Sequence, residues 1–291
     1  AVASAAPTGP VVPGRVRPES SYARYFRVHA SISMLGVTIV SVSDVGAGYA
    51  CVESASTSAA RTEGLQFAAA ACPDRAAGLN RFGVLKEIIT ENPSAAVSAG
   101  FAGLISASRE ANLDETARAL RARGEAVDVT VMHGRVSNGR AWSRSETVRA
   151  SSPGSWMDAD RLLSKLLEGR ETVPGPGADA RGMLPFLATM RKAGANRGRE
   201  FQATFLHASR RFKLNARPSN QSPNELIGVI RDASSGAKTA EFRAAYEAGD
   251  QSEIPVRIEY RPRSFLKLVF EETSAPHNQQ SIPSLFTKEN V

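Results

Sequence analysis

Hydrophobic and polar residues alternate along much of this chain. Between residues 25 and 34, the hydrophobic side chains of Phe26, Val28 and Ile32 fall on every second position. That period of two is typical of a β-strand with one buried face. Similar alternating or β-branched runs predict further strands at residues 37–42, 49–53, 64–70, 84–90, 97–106, 127–135, 142–148, 201–206, 211–216, 225–231, 241–246, 256–261 and 265–271.

Glycine and asparagine predict how some of these strands are connected. Gly46 and Gly48 are expected to turn the chain, so that the first three strands form an antiparallel meander. Asn138-Gly139 predicts a tight hairpin after the strand at 127–135, because both residues tolerate a positive φ.

Three segments have the 3.6-residue period of an amphipathic helix instead. They lie at about 113–123, 156–168 and 183–193, and a glycine follows each of them. The second has a leucine stripe formed by Leu162, Leu163, Leu166 and Leu167. Packing onto a sheet accounts for all three helices.

Composition shifts divide the chain into five parts. We predict a flexible N-terminal arm (1–20), a β-rich subdomain with two helices (21–170), a linker or long loop (171–182), a helix followed by antiparallel sheet (183–272) and a polar tail (273–291). The linker is rich in proline and glycine, and it either separates two subdomains or forms a long loop within one.

Composition and charge limit the classes of partner. The 291 residues are 42% hydrophobic and 22% charged, which is ordinary for a globular protein able to bury a core. The net charge of +7 is spread thinly, with its densest groups at 118–123 and 210–213, and aromatic residues, which would stack on bases, make up only 7% of the chain. Nucleic acid is therefore not an expected partner. No apolar run is long enough for a transmembrane helix.

The small-residue opening and the two cysteines indicate export. Residues 1–7 resemble the start of a mature chain after signal-peptide removal, which predicts a periplasmic or extracellular protein. In that location Cys51 and Cys72 are candidates for a disulfide, and the alternative is a pair of buried free thiols.

Motif searches of the sequence identify no catalytic residue, cofactor or metal site. Nucleophile-elbow, phosphate-loop, dinucleotide and zinc signatures are all missing from it. Glu87 and Glu91 lie four apart in a predicted strand and could serve as paired carboxylates of a hydrolase, although a solvent-facing role is more common. A histidine is the other candidate base, from His29, His133, His207 and His277.

The loop at 73–83 contains the candidate ligand-binding residues. Arg75 and Arg81 could bind a carboxylate or phosphate group, and Asn80 could adopt a left-handed backbone conformation beside them. The alternative is a structured turn whose arginines pair with Glu87 or Glu91.

Residues 254–270, which include Pro255-Val-Arg-Ile258, resemble the closing strand pair of exported bacterial β-barrel-like families of unknown function. Met183–Arg191 followed by strands is similar in order, so the resemblance covers residues 183–271. It implies an exported location and a β architecture, and it implies no activity or catalytic residues.

Together these features predict an α+β protein of mainly antiparallel sheet, open or barrel-like, with about three packed helices. The expected function is non-catalytic: an exported carrier of a hydrophobic small molecule, or a subunit of an envelope or extracellular assembly. The alternatives are a hydrolase using Glu87, Glu91 or a histidine, and a structural subunit whose terminal arms become ordered on a protein partner.

Overall fold

Fifteen β-strands form one sheet in the computed structural model, which describes residues 19–34, 37–71, 81–92, 94, 97–106, 126–151, 156–168, 177–207 and 209–274. The strands are β1 (Ser20–Met34), β2 (Val37–Ser56), β3 (Arg61–Ala71), β4 (Arg81–Glu91), β5 (Val97–Ser106), β6 (Ala126–Ser137), β7 (Arg140–Ser151), β8 (Ala178–Asp179), β9 (Leu184–Pro185), β10 (Phe201–His207), β11 (Arg210–Pro218), β12 (Glu225–Asp232), β13 (Lys238–Ala245), β14 (Arg257–Arg263) and β15 (Leu266–Thr273). Two helices accompany them, α1 (Trp156–Leu167) and α2 (Phe186–Ala195).

The sheet is a long meander whose two ends are neighbours in the sequence. Its order runs from β8 down to β1, then β15 down to β9, so β1 pairs with β15 in the middle. Every neighbouring pair is antiparallel except β9 and β10. Strands from both predicted subdomains thus belong to one sheet, and four residues (180–183) connect its two end strands.

Nearly all the predicted strands are confirmed, with one correction in β2. The segments at 37–42 and 49–53 are parts of a single strand, because Gly46 and Gly48 stay extended opposite Val28 and Phe26. The irregularity lies at Asp44 instead, which has φ 54° at a bulge. A Cβ on Gly48 would lie 2.8 Å from the Ala68 carbonyl oxygen, so this glycine allows close strand approach rather than a turn.

The hairpin between β6 and β7 is confirmed. Asn138 and Gly139 have φ 50° and 69°, as the primed turns of two-residue hairpins require. The helices predicted at 156–168 and 183–193 are confirmed as α1 and α2. The one predicted at 113–123 lies outside the described residues, as do Arg75, Asn80 and Cys72.

The sheet curls around α2. Cross-strand pairs place Leu65, Phe101, Phe26 and Phe242 on one continuous face, which is therefore the inner face of both halves of the sheet. Helix α2 packs on that face from between the halves. Leu187 and Ala188 join the core of the N-terminal strands, whereas Phe186, Met190 and Ala193 join the core of the C-terminal strands.

Helix α1 packs on the opposite, outer face of the N-terminal strands. Its Ala159 and Leu163 are buried against Tyr49, Val84 and Val131. A Lys86–Asp160 ion pair fixes the helix to β4. None of the helices in the described ranges has the length and apolar character needed to cross a bilayer.

Candidate functional site

A cleft of about 620 Å³ opens at the end of the sheet, beside β10. Its walls are the segment Arg181–Leu184, one side of α2, and strands β10 and β11. Strand β9 pairs with Phe205 and Leu206 alone, so Phe201–Thr204 have no strand on that side within the described part of the chain. The cleft therefore lies along an open strand edge.

Backbone geometry holds Arg181 at the mouth of the cleft. The Ala180 N–H donates to the Gly139 carbonyl at 2.7 Å, and the Met183 N–H donates to the Ala180 carbonyl at 3.0 Å. Gly182 completes the turn with φ 71°. The Asp179 carboxylate accepts bonds from the Arg181 guanidinium at 3.1 and 3.2 Å, which limits where this arginine can point.

The lining is cationic. Arg181, Lys192 and Lys213 line the cleft, and no carboxylate does so. The two lysines are exposed, and neither has an ion-pair partner among the residues that the structure describes. The hydrogen bonds between Asp179 and Arg181 hold the pKa of Asp179 below its ordinary value and that of Arg181 above it. This pair therefore remains ionised near neutral pH.

Polar side chains lie between these cations. Thr204 is directly opposite Lys213, and Gln202 is directly opposite Asn215, so the four form a block on neighbouring strands. The Thr189 hydroxyl already donates to the Pro185 carbonyl at 2.8 Å. The cleft thus offers ammonium, guanidinium, amide and hydroxyl donors, which is a suitable set for an anion.

Glu87 is buried on the inner face of the sheet, against the N-terminus of α2. Its side chain is 1% exposed, and its carboxylate accepts the N–H groups of Leu187 at 2.7 Å and Ala188 at 2.8 Å. Burial raises the pKa of Glu87 to about 7, and the helix N–H groups oppose that rise. Glu87 therefore caps α2 from across the core.

Glu91 does not share a site with Glu87. It is exposed at the end of β4, four residues away, which is about 13 Å along a strand. Carboxylate pairs that hydrolyse glycosides are closer than about 10 Å.

The histidines lie on separate strands. The His29 ring accepts the Asp44 N–H at 3.2 Å and lies 3.5 Å from the Glu271 carboxylate. The His133 ring packs against Trp142. Burial lowers the pKa of His207. In the described ranges, no three metal-ligating side chains come together. His277 lies outside those ranges.

The predicted loop site and disulfide remain predictions. Of the loop residues, Arg81 begins β4, but its side chain is not among those described. Cys51 is buried beneath α1, and burial is the main cause that raises the pKa of its thiol to about 12.

The residues that line the cleft were not predicted as a site. Lys213 belongs to the basic group at 210–213, and Arg181 belongs to the predicted linker, so each had a weak signal of its own. Their convergence depends on the segment before β9 lying beside β10, and no local pattern encodes that pairing.

Comparison with solved structures finds a similar chain, described as a beta-barrel-like protein of domain of unknown function DUF1849 from Brucella abortus. The match has a TM-score of 0.39 and 9% identity, and it covers 89% of this chain and 97% of that one. It agrees with the resemblance to barrel-like families of unknown function, and a similarity of this degree says nothing about activity. No protein-family model matches the chain. No curated protein matches it significantly.

Proposed function

We propose that this chain is a non-catalytic binding protein whose cleft beside β10 holds a small anionic molecule. One observation carries the proposal: Arg181, Lys192 and Lys213 converge on a cleft that no carboxylate lines. Asp179 balances the charge of Arg181, so Lys192 and Lys213 supply the uncompensated positive charge, which a bound anion would balance.

The cleft has the size and chemistry of a small-molecule site. Its volume of about 620 Å³ lies within the range of roughly 300–1,000 Å³ that such ligands occupy. The guanidinium of Arg181 suits a carboxylate or phosphate group, and the lysines add point charges. Gln202, Thr204 and Asn215 would orient the remainder of the ligand.

An anionic ligand fits better than the hydrophobic one expected from the sequence. The space enclosed by the curled sheet is occupied by α2, whose side chains pack against both halves. The cleft lining includes no histidine or carboxylate, which are the most common general bases of hydrolases.

Calorimetric titration of the full chain with pyrophosphate and with citrate tests the proposal. At least one probe should bind, with an affinity that falls as salt rises. The double variant Lys192→Gln, Lys213→Gln should weaken binding at least about tenfold, at roughly 1 kcal/mol for each ionic contact. The matched control is Lys165→Gln with Lys238→Gln, which removes two exposed lysines outside the cleft. Absence of binding at low salt, or an equal loss in both double variants, would refute the site.

We also propose that the protein is exported, as the resemblance of its C-terminal region implies. Fractionation of cells that express the gene with its own upstream sequence tests this. Periplasmic or extracellular recovery supports the proposal, and retention in the cytoplasmic fraction overturns it.

A further inference from the structure

The end of the β1–β2 hairpin exposes large apolar side chains to solvent. Val37 is 67% exposed, Ile39 58% and Val40 40%, and Phe265 in the neighbouring β14–β15 turn is 52% exposed. The Ser33 N–H donates to the Phe265 carbonyl at 2.8 Å, so the two turns are adjacent. We call Ile32, Ser33 and Val37–Val42, together with Phe265, the hairpin tip.

Within the described residues, the hairpin tip extends past the strands on either side of it. Pairing of β1 with β15 ends at Ile32 opposite Leu266, and pairing of β2 with β3 ends at Gly46 opposite Ala71. Val37 and Ile39 lie on one face of the ribbon, and Val40 lies on the other. Because both faces are apolar and exposed, packing against a single flat surface would cover only one of them.

Charge near the hairpin tip is mainly positive, and the exposed Asp44, two residues past the tip, is the nearest acidic residue along β2. Residues 30–43 contain no charged residue. Residues 261–268, which form the adjacent turn, contain Arg261, Arg263 and Lys267 and no acidic residue. Lys267 is directly opposite Ser31 of β1, and none of the three cations has an ion-pair partner in the described ranges.

We propose that the hairpin tip docks on an anionic lipid surface. An apolar ribbon exposed on two faces suits the interfacial region of a bilayer, where lipid contacts both faces and water still reaches the edge of β2 that is unpaired in the described ranges. The adjacent cations suit anionic headgroups, and an apolar ring such as that of Phe265 is common on the face that interfacial segments bury at the acyl-chain boundary. Pairing with a second copy would instead bring two cationic flanks together, which like-charge repulsion opposes.

Co-sedimentation with lipid vesicles tests this proposal on the full chain. The unmodified protein should bind vesicles of phosphatidylcholine with 30% phosphatidylglycerol at least about tenfold more tightly than pure phosphatidylcholine vesicles. The variant Arg263→Gln, Lys267→Gln should lose about thirtyfold in affinity for the anionic vesicles. Ile39→Ser with Phe265→Ser should lose at least about tenfold through the apolar contribution.

Matched controls separate docking from attraction by the net charge of +7. Lys165→Gln with Arg217→Gln removes two cations outside the hairpin tip, and Ile105→Ser removes a 48% exposed apolar side chain from β5. These controls should bind as the unmodified protein does. Equal losses in control and tip variants would overturn the proposal, as would equal binding to neutral and anionic vesicles.

Fluorescence and sedimentation complete the test. A Phe265→Trp variant should shift its emission to the blue with anionic vesicles, beyond any shift of the unmodified protein. Thermal melting shows whether each variant is folded. A dimer that Ile39→Ser with Phe265→Ser abolishes, with no vesicle binding by the unmodified protein, would replace the lipid with a second copy and refute the proposal.

Discussion

The two halves of the sheet bury their surfaces differently. In the N-terminal half, the central parts of β3 and β4 are covered on the inner face by the core and α2 and on the outer face by α1, where Val129 and Val131 of β6 are also fully buried. Strands β10–β13 have a filled inner face, whereas their outer face presents exposed Lys213, Asn215 and Arg217. The first half is built for stability on both faces, and the second keeps one face free for polar contacts.

Two charged contacts connect these halves. In the core, Glu87 of β4 caps α2. At the seam between β1 and β15, Arg24 contacts Glu247 at 3.0 Å and Asp250 at 2.8 Å, and it also pairs with Glu272. The following predictions test these contacts and then the difference between the two faces.

Substitution of Glu87 should have the largest effect. Glu87→Ala leaves two α2 N–H groups unpaired in the core and opens a cavity, so we expect the free energy of unfolding to fall by about 4 kcal/mol. Urea unfolding measures this. Glu91→Ala, on the same strand but exposed, is the control and should change stability by less than about 0.5 kcal/mol. Similar losses in the two variants would contradict the capping role.

Stability should also depend on pH through Glu87, whose pKa is raised to about 7 from 4.5. Below about pH 4.5 its carboxyl is protonated in both states. Between about pH 4.5 and 7 the unfolded chain releases a proton that the folded protein keeps, so the free energy of unfolding falls as pH rises, by up to about 3 kcal/mol. Glu87→Gln should lack this contribution. If the stability difference between the two proteins is the same at pH 4.5 and 7.5, the pKa is not raised.

Loss of Arg24 should weaken the seam. Arg24→Gln leaves Glu247, Asp250 and Glu272 close together without their shared cation, and we expect a loss of about 2 kcal/mol at neutral pH. Arg149→Gln, which breaks the exposed pair with Asp128, should cost less than about 0.5 kcal/mol. Denaturant midpoints of both variants give the comparison, and an equal shift would place Arg24 among ordinary surface pairs.

A pair of valine substitutions should show the difference between the outer faces. Val129→Thr puts a hydroxyl beneath α1, where the side chain is fully buried, and should cost about 1.5 kcal/mol. Val229→Thr makes the same change on half-buried β12, between Asn215 and Glu241, and should cost less than about 0.5 kcal/mol. Thermal unfolding of both proteins measures the difference. Equal costs would mean that the outer face of the C-terminal strands is also covered.

The sequence pattern predicts the strands, turns and helices of this fold well where neighbouring residues alone determine them. The strand predicted at 97–106 has the same bounds as β5. Asn138-Gly139 correctly predicts the hairpin between β6 and β7, and the leucine stripe correctly predicts α1. Gly48 misleads because a glycine that avoids a clash with the next strand looks the same in sequence as a glycine in a turn.

Long-range placement is the part that the sequence does not reveal. In the sequence, Glu87 looks like a solvent-facing or catalytic carboxylate. Its capping role depends on α2, which lies a hundred residues later in the chain and packs against it in the fold. The cleft has the same difficulty, because Arg181, Lys192 and Lys213 belong to a turn, a helix and a strand. Such sites depend on which elements meet, and hydrophobic periodicity does not specify that.

The pairing of β1 with β15 has a consequence for biosynthesis. Tyr25 is opposite Thr273, so β1 acquires one of its two partners only after β15, more than 200 residues later in the sequence, has been synthesised. Until then β1 presents an unpaired edge, and long-range pairing of this kind slows folding. Nascent chains should therefore depend on chaperones more than finished ones, and premature termination before residue 266 should yield aggregates rather than a smaller folded product.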